Sequence, residues 1–176
     1  MVRALLLALG FLLLGPNGLA APMVWVEKSV RVLDYSTPKW DGLVEGMVDE
    51  FNGMLPESAP RLVYRRMPQR ACQDLKPRPV VGAIIICSVL TAPFVGITGV
   101  LHDGTTIVET RVMLNDTMFL NTRDATNTVC HELMHAVTGI KDRYYRRPKT
   151  SCVWGSLSTP GRFDAAYARR VYESRS

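Results

Sequence analysis

The feature that most constrains this 176-residue chain is the run His131-Glu132-Leu133-Met134-His135. Residues four apart on an α-helix are separated by one turn plus a small angle, so His131 and His135 are predicted to project from one face. Two imidazoles held by one rigid helix suit a zinc ion, because little entropy is lost when they converge on it. Glu132 lies beside this point, where a carboxylate can accept a proton from water. The run therefore predicts a zinc site that carries its own general base.

The chain has three histidines, and two of them belong to this run. Short motifs also arise by accident, so the alternative is an ordinary helix on which His131 and His135 bind no metal. A purely structural zinc site has no use for a carboxylate between the two histidines, so Glu132 favours a catalytic site. The third histidine, His102, precedes Asp103-Gly104 and is expected to be a turn residue.

A catalytic zinc needs a third protein ligand and one position left open for water. Gly139 predicts the end of the zinc-binding helix, because glycine accepts the left-handed conformation that turns the chain back. A chain that reverses there can return Asp142 to the metal. Asp164, at the start of a closing helical pattern, is the alternative third ligand. We favour Asp142, since the short return after the glycine is the simpler geometry.

The two histidines, the glycine turn and Asp142 three residues beyond Gly139 resemble the metzincin clan of zinc metalloproteases. The similarity is to bacterial secreted members with aspartate as the third ligand, such as snapalysin-like and matrixin-like peptidases. It implies that His131, His135 and Asp142 bind one catalytic Zn²⁺. It also implies that Glu132 is the catalytic residue and that residues 21–176 form a zinc metallopeptidase domain.

The sequence departs from the metzincin pattern in two places. Gly139 comes four residues after His135, whereas the clan has three, so one residue is inserted. Trp154 stands where the clan carries a methionine in a turn beneath the metal. Asp164 followed by Tyr167 is in turn similar to the Asp-x-x-Tyr pattern of the aspzincin metalloproteases, which keeps the alternative ligand open.

The expected function is that of a secreted zinc-dependent endopeptidase, which hydrolyses peptide bonds through a zinc-activated water with Glu132 as general base. Tyr144 or Tyr145 is a candidate to donate a phenol hydrogen bond to the developing oxyanion, although tyrosines more commonly pack. The alternative function is a catalytically silent exported binding protein that keeps the same fold and its zinc.

Residues 1–20 have the three regions of a signal peptide. One early charge, Arg3, is followed by an apolar run over residues 4–14 and then by small residues that suit cleavage after Ala20. The apolar run is too short to span a membrane. We therefore expect a secreted protein, extracellular or periplasmic, without stable membrane insertion after cleavage.

Apolar periodicity predicts several strands, a backing helix, the zinc-binding helix and a C-terminal helix. This order resembles that of the metzincins, and the resemblance implies a single α+β domain with a twisted mixed β-sheet. Residues 80–89 are almost continuously apolar, as expected of a central strand buried on both faces. An edge strand is expected within residues 96–110, where it could pair with an extended peptide. The predicted strands are residues 29–35, 61–65, 80–89, 97–101, 105–110 and 111–115, and the predicted helices open near 36–38, at 121 or 122, and after 158–161.

Four cysteines in an exported chain predict two disulfides, for which three connectivities exist. We favour Cys72 with Cys87 and Cys130 with Cys152, because each pair closes a modest loop. The loop-entropy model gives each about 3 kcal/mol of stabilisation.

The formal net charge is +5, but the arginines occur in scattered pairs rather than in one stripe. No run reaches the five or so like charges that mark an interaction tail, so the charges are expected to be solvated. The expected partner is a protein or peptide substrate. Neither a nucleic acid nor a second copy of the chain is expected, so the protein is predicted to be a monomer.

Overall fold

The computed structural model describes residues 22–75, 78–118, 120–141, 150–153 and 157–174. The expected signal peptide, the preferred third ligand Asp142, Tyr144, Tyr145 and Trp154 lie outside these residues. Among the described residues, no helix is both long enough and apolar enough to cross a membrane.

Five strands form one mixed sheet in the order β2-β1-β3-β5-β4. Strands β1, β2, β3 and β5 run parallel to one another, and β4 pairs antiparallel with β5 at one edge. This agrees with the α+β class and with the edge strand predicted within residues 96–110. The strands are β1 (Ser29–Asp34), β2 (Arg61–Arg66), β3 (Ala83–Val89), β4 (Gly96–Asp103) and β5 (Thr106–Asn115).

The central strand is β3, and its residues Ala83 to Ser88 are all buried. It begins three residues later than predicted, because Gly82 has a positive φ of 70° and Val81 is 63% exposed. The separate strand predicted at residues 111–115 is wrong. Those residues continue β5, which pairs with β3 as far as Asn115 opposite Val89.

The helices are α1 (Leu43–Met54), α2 (Thr122–Thr138) and α3 (Arg162–Glu173). The pair Thr37-Pro38 predicted that the first helix begins at Pro38, but α1 begins at Leu43. A single 3₁₀ turn, Pro38–Trp40, comes first, and Gly42 then interrupts the helical path with a φ of 73°. The Trp40 indole, fully buried, donates to Asp116 Oδ1 at 2.7 Å and holds this turn against the end of β5.

The hydrophobic core lies between the sheet and the helices α1 and α2. Helices α1 and α2 contact each other as well as the sheet, so they lie on the same face. The buried face of α1 supplies Met47 and Phe51, and that of α2 supplies Leu133 and Met134, each at most 2% exposed. This packing fixes the axis of α2, the helix that carries the motif.

Both predicted disulfides are present. Cys72 is bonded to Cys87, which ties the segment after β2 to the central strand, and Cys130 is bonded to Cys152, which ties α2 to residues 150–153. Two disulfides suit a chain that folds in an oxidising compartment.

Candidate metal centre

The helix that carries the motif begins and ends at the residues the sequence predicted. At its start the Asn121 side chain accepts a hydrogen bond from the backbone N–H of Asp124 at 2.9 Å, as an N-cap does. At its end Gly139 has a φ of 61°, and its N–H donates to His135 O at 2.9 Å. The chain therefore turns back one residue after the helix.

Side chains from elsewhere in the fold hold the last turn of α2. Helix ends leave carbonyl groups without partners within the helix. The Trp25 indole donates to Ala136 O at 3.0 Å, and the Tyr172 hydroxyl donates to Val137 O at 2.6 Å. The last turn is thus fixed both by the chain before β1 and by α3.

The imidazoles of His131 and His135 converge, with their Nε2 atoms 3.0 Å apart. His135 Nδ1 lies 2.6 Å from the carbonyl oxygen of Ile140. Because a carbonyl can only accept, Nδ1 carries the proton, and in the neutral ring Nε2 then carries a lone pair. The reversal at Gly139 brings this carbonyl into place. The turn after the helix therefore sets the tautomer that a metal ligand needs.

The spacing of these nitrogens fits a zinc ion. Zn–N distances of about 2.0 to 2.1 Å in a tetrahedral site place two ligand nitrogens about 3.3 Å apart. The observed 3.0 Å between His131 Nε2 and His135 Nε2 is close to this value. His135 is 8% exposed and His131 is partly exposed, so the pair faces the surface from a well-packed helix.

The carboxylate of Glu132 lies under the edge strand and is almost buried, at 4% exposure. Its Oε2 accepts a hydrogen bond from Thr98 Oγ1 at 2.7 Å, and the same hydroxyl lies 3.0 Å from the backbone carbonyl of Glu132. A Cβ on Gly96 would lie 2.8 Å from both Cγ and Oε1 of Glu132. Strand β4 therefore positions this carboxylate through a hydroxyl on one side and a bare glycine on the other.

These groups open on one cleft of about 580 Å³ between β4 and α2. His102 is exposed, near the end of β4, with Nδ1 2.9 Å from Gly104 O. The turn predicted to include His102 is wrong, because β4 continues through His102 to Asp103 and the turn falls at Gly104 and Thr105. His102 also belongs to the lining of the cleft. The lining residues are Met23, Gly96, Ile97, Thr98, Val100, His102, His131, Glu132, His135, Gly139, Ile140 and Lys141.

A third ligand is not found among the described residues, which contain no cluster of three or more His, Cys, Asp or Glu able to hold a metal. Asp142 lies outside them. The alternative ligand, Asp164, is fully buried away from the cleft lining. Its Oδ1 accepts from Ser151 Oγ at 2.6 Å, and its Oδ2 accepts from the N–H groups of Cys152 and Gly161 at 2.9 and 2.8 Å. Asp164 thus caps α3 and anchors the disulfide-linked loop.

Sequence reasoning did not identify Gly96, Thr98, Met23 or Trp25 as part of this site. Gly96 offered a signal, because a glycine inside a strand often marks a close approach of another group. The other three residues reach α2 only through tertiary contacts, so no local pattern marks them.

A second buried polar group lies at the carboxyl end of β1. Asp34 is fully buried and accepts hydrogen bonds from Arg66 Nη1 at 2.8 Å and from the Tyr64 hydroxyl at 3.1 Å. Burial of the Tyr64 phenol, reinforced by the neighbouring Asp34 carboxylate, raises its pKa from 10.0 to about 12. This network joins β1 to β2 and is not among the groups that line the cleft.

No protein-family model matches the chain. No curated protein matches it significantly either.

Proposed function

We propose that the protein is a secreted zinc-dependent endopeptidase of metzincin-like organisation. The observation that carries the proposal is the pair of Nε2 atoms of His131 and His135, 3.0 Å apart, with the tautomer of His135 set by Ile140 O. Glu132, the residue between them in sequence, has its carboxylate in the same cleft. Two nitrogens that can bind a metal and one adjacent proton acceptor are part of what metal-assisted hydrolysis requires of a protein, and Asp142 is the proposed third ligand.

In this proposal His131, His135 and Asp142 hold one Zn²⁺. When bound there, the ion would supply the Lewis acidity that polarises a scissile carbonyl and activates a water at neutral pH. His135 keeps its lone pair toward the metal because its Nδ1 proton is held by Ile140 O. The hydroxyl of Tyr144 or Tyr145 remains a candidate donor to the oxyanion of the reacting carbonyl, although tyrosines more commonly pack.

Glu132 moves the protons. Its carboxylate accepts a proton from the attacking water and then delivers that proton to the leaving amine of the cleaved peptide. The Thr98 hydroxyl, bonded to Oε2 at 2.7 Å, orients the carboxylate, and burial under β4 keeps bulk water from competing for it.

The substrate would bind along the outer side of β4. This strand pairs only with β5 in the described sheet, so the N–H and C=O groups of its outer edge have no strand partner there. An extended peptide can add there as a further strand, which gives affinity through main-chain hydrogen bonds. Ile97 and Leu101, 42% and 45% exposed, offer apolar contacts for alternate side chains.

Digestion of fluorescent casein by wild type, Glu132→Gln and chelator-treated protein tests the proposal. Glutamine keeps the shape of the side chain but is not a base at neutral pH. We expect kcat/KM to fall about 10²-fold or more in Glu132→Gln, and activity to vanish with chelator and return with added zinc. Glu45→Gln is the matched control, because Glu45 is exposed on α1 outside the cleft.

The outcomes separate the two functions. Equal casein digestion by all three samples rules out the proposed reaction. Bound zinc without any hydrolysis by wild type favours the alternative, a catalytically silent exported binding protein. Retained activity in Glu132→Gln with loss on chelation would leave zinc in place but assign the proton transfer to another group.

A further inference from the structure

Residues 22–25, which we name the N-terminal strap, attach to the hairpin that forms one wall of the cleft. Val24 forms a parallel bridge with Thr106 at the start of β5. Its N–H donates to Thr105 O at 2.9 Å, and its carbonyl accepts from the Ile107 N–H at 2.7 Å. The strap therefore continues the sheet beside the turn between β4 and β5.

The same strap is fixed to the opposite wall. Trp25 is 3% exposed and donates its indole N–H to Ala136 O in the last turn of α2. A Cβ on Gly139 would lie 2.9 Å from Met23 Cβ and 3.4 Å from the Met23 carbonyl oxygen. Met23 is thus seated directly on the turn that ends α2, at a contact only glycine allows.

These contacts place the strap at one end of the cleft. Gly96 and Thr98, at the start of β4, contact Glu132. The strap is bonded to Thr105 and Ile107, which lie in and after the turn at the opposite end of β4. The strap therefore lies at the C-terminal end of α2, and Met23, Val100 and Ile140 are the apolar residues from the strap, β4 and the turn after α2 that line the cleft.

We propose that Met23, Val100 and Ile140 form an apolar subsite for one substrate side chain, and that Met23 determines its selectivity. The proposal rests on the proposed peptidase function, since the subsite shares its cleft with His131 and Glu132. Methionine is flexible and polarisable, so it adapts to aliphatic side chains of different shape.

The described lining of the cleft disfavours a basic substrate side chain at the proposed subsite. Lys141 lines the same cleft and is exposed, whereas Glu132 is the only acidic side chain among the described lining residues. Glu132 contacts the far end of β4, next to Gly96 and Thr98. Met23, Val100 and Ile140 are all apolar, so a charged side chain in the proposed subsite would lose contact with water without gaining a partner from them, and an uncharged aliphatic side chain is preferred.

A peptide library first locates the subsite. The purified full-length mature protein is incubated with a mixture of synthetic peptides, and the cut positions are mapped by mass spectrometry. We expect one position at a fixed distance from the cut to be enriched in leucine, methionine and phenylalanine and depleted in lysine and arginine.

Two peptides that carry leucine or alanine at that position then measure the contribution of Met23. We expect the leucine-to-alanine ratio of kcat/KM to fall at least about tenfold in Met23→Ala, because several side-chain atoms that contact the substrate are lost. Met23→Leu should restore most of the ratio. Met118→Ala is the matched control, since Met118 is 39% exposed and lies outside the cleft lining.

A ratio that Met23→Ala leaves unchanged overturns the subsite. An equal loss of kcat/KM for both peptides also overturns it, because the strap would then only support α2. Cleavage by wild type without side-chain preference at any position contradicts the subsite alone. Absence of any cleavage by wild type removes the proposed function, and the subsite with it.

Discussion

A methyl group added at Gly96 is a direct test of how β4 positions the Glu132 carboxylate, the proposed general base. The Cβ of Gly96→Ala would lie 2.8 Å from Glu132 Cγ and Oε1 and 3.0 Å from Thr128 Cγ2. Ordinary contact begins at 3.4 Å, so the neighbouring atoms must move by about 0.6 Å. Gly96 does not have a positive φ, so the backbone itself accepts alanine.

The carboxylate is the group that moves. Helix α2 is held by buried side chains and by the Trp25 and Tyr172 hydrogen bonds at its end, whereas Glu132 can rotate about its side-chain bonds. Rotation breaks the 2.7 Å hydrogen bond from Thr98 and displaces the proton acceptor. Since a misplacement of about 1 Å costs about 10²-fold, we expect kcat/KM to fall about tenfold or more. Overpacking should reduce the free energy of unfolding by about 1 to 3 kcal/mol.

The matched control is Gly99→Ala, on the same strand with nothing within 4 Å of its added Cβ. Both variants and wild type are compared by peptide hydrolysis, by bound zinc and by urea denaturation. We expect Gly99→Ala to match wild type and Gly96→Ala to retain zinc while losing activity. Full activity in Gly96→Ala, or an equal loss in both variants, would refute the proposed role of this contact.

Three further predictions concern residues around the cleft and in the sheet. Asp164→Ala should lower the free energy of unfolding by about 3 kcal/mol, because the buried donors Ser151 Oγ and Cys152 N–H lose their acceptor. The variant should still bind zinc. Loss of zinc from the folded variant would make Asp164 a ligand. Thr98→Val removes the hydrogen bond to Glu132 Oε2, so kcat should fall about tenfold while the zinc content stays the same. An unchanged kcat would show that the Thr98 hydroxyl does not orient Glu132. Tyr64 has a raised pKa, so its stabilising effect is complete below pH 10.0 and is lost as the pH rises through about 12. The stability advantage of wild type over Tyr64→Phe in urea denaturation should therefore shrink across that window, and a constant difference contradicts it.

The helix that carries the motif was predictable because its signals are local. Asn121 at the N-cap, the apolar face and Gly139 at the end all act within a few residues of the helix. The pairing of Cys130 with Cys152 was predicted from loop length, and the central position of β3 from its continuous apolar run. Each of these predictions is confirmed by the structure.

The groups that complete the site were not predictable in the same way. Thr98 contacts Glu132, which is 34 positions away, and Met23 contacts Gly139, which is 116 positions away. Threonine and methionine also occur at many other places in the chain, so their presence alone marks no site. The predicted start of α1 was wrong. The buried hydrogen bond from Trp40 to Asp116 stabilises a 3₁₀ turn there, and local preferences cannot distinguish such a turn from the start of a helix. Long-range contacts override local propensity at such points.

The most direct test of the metal centre is the zinc content of the natively purified protein, measured by elemental analysis. We predict one zinc per chain in wild type and in His102→Ala, because His102 lines the cleft but is bonded to its own turn. We predict little or no zinc in His131→Ala and His135→Ala, whose Nε2 atoms form the converging pair. A wild-type protein that contains no zinc and takes none up on titration would contradict the proposed centre.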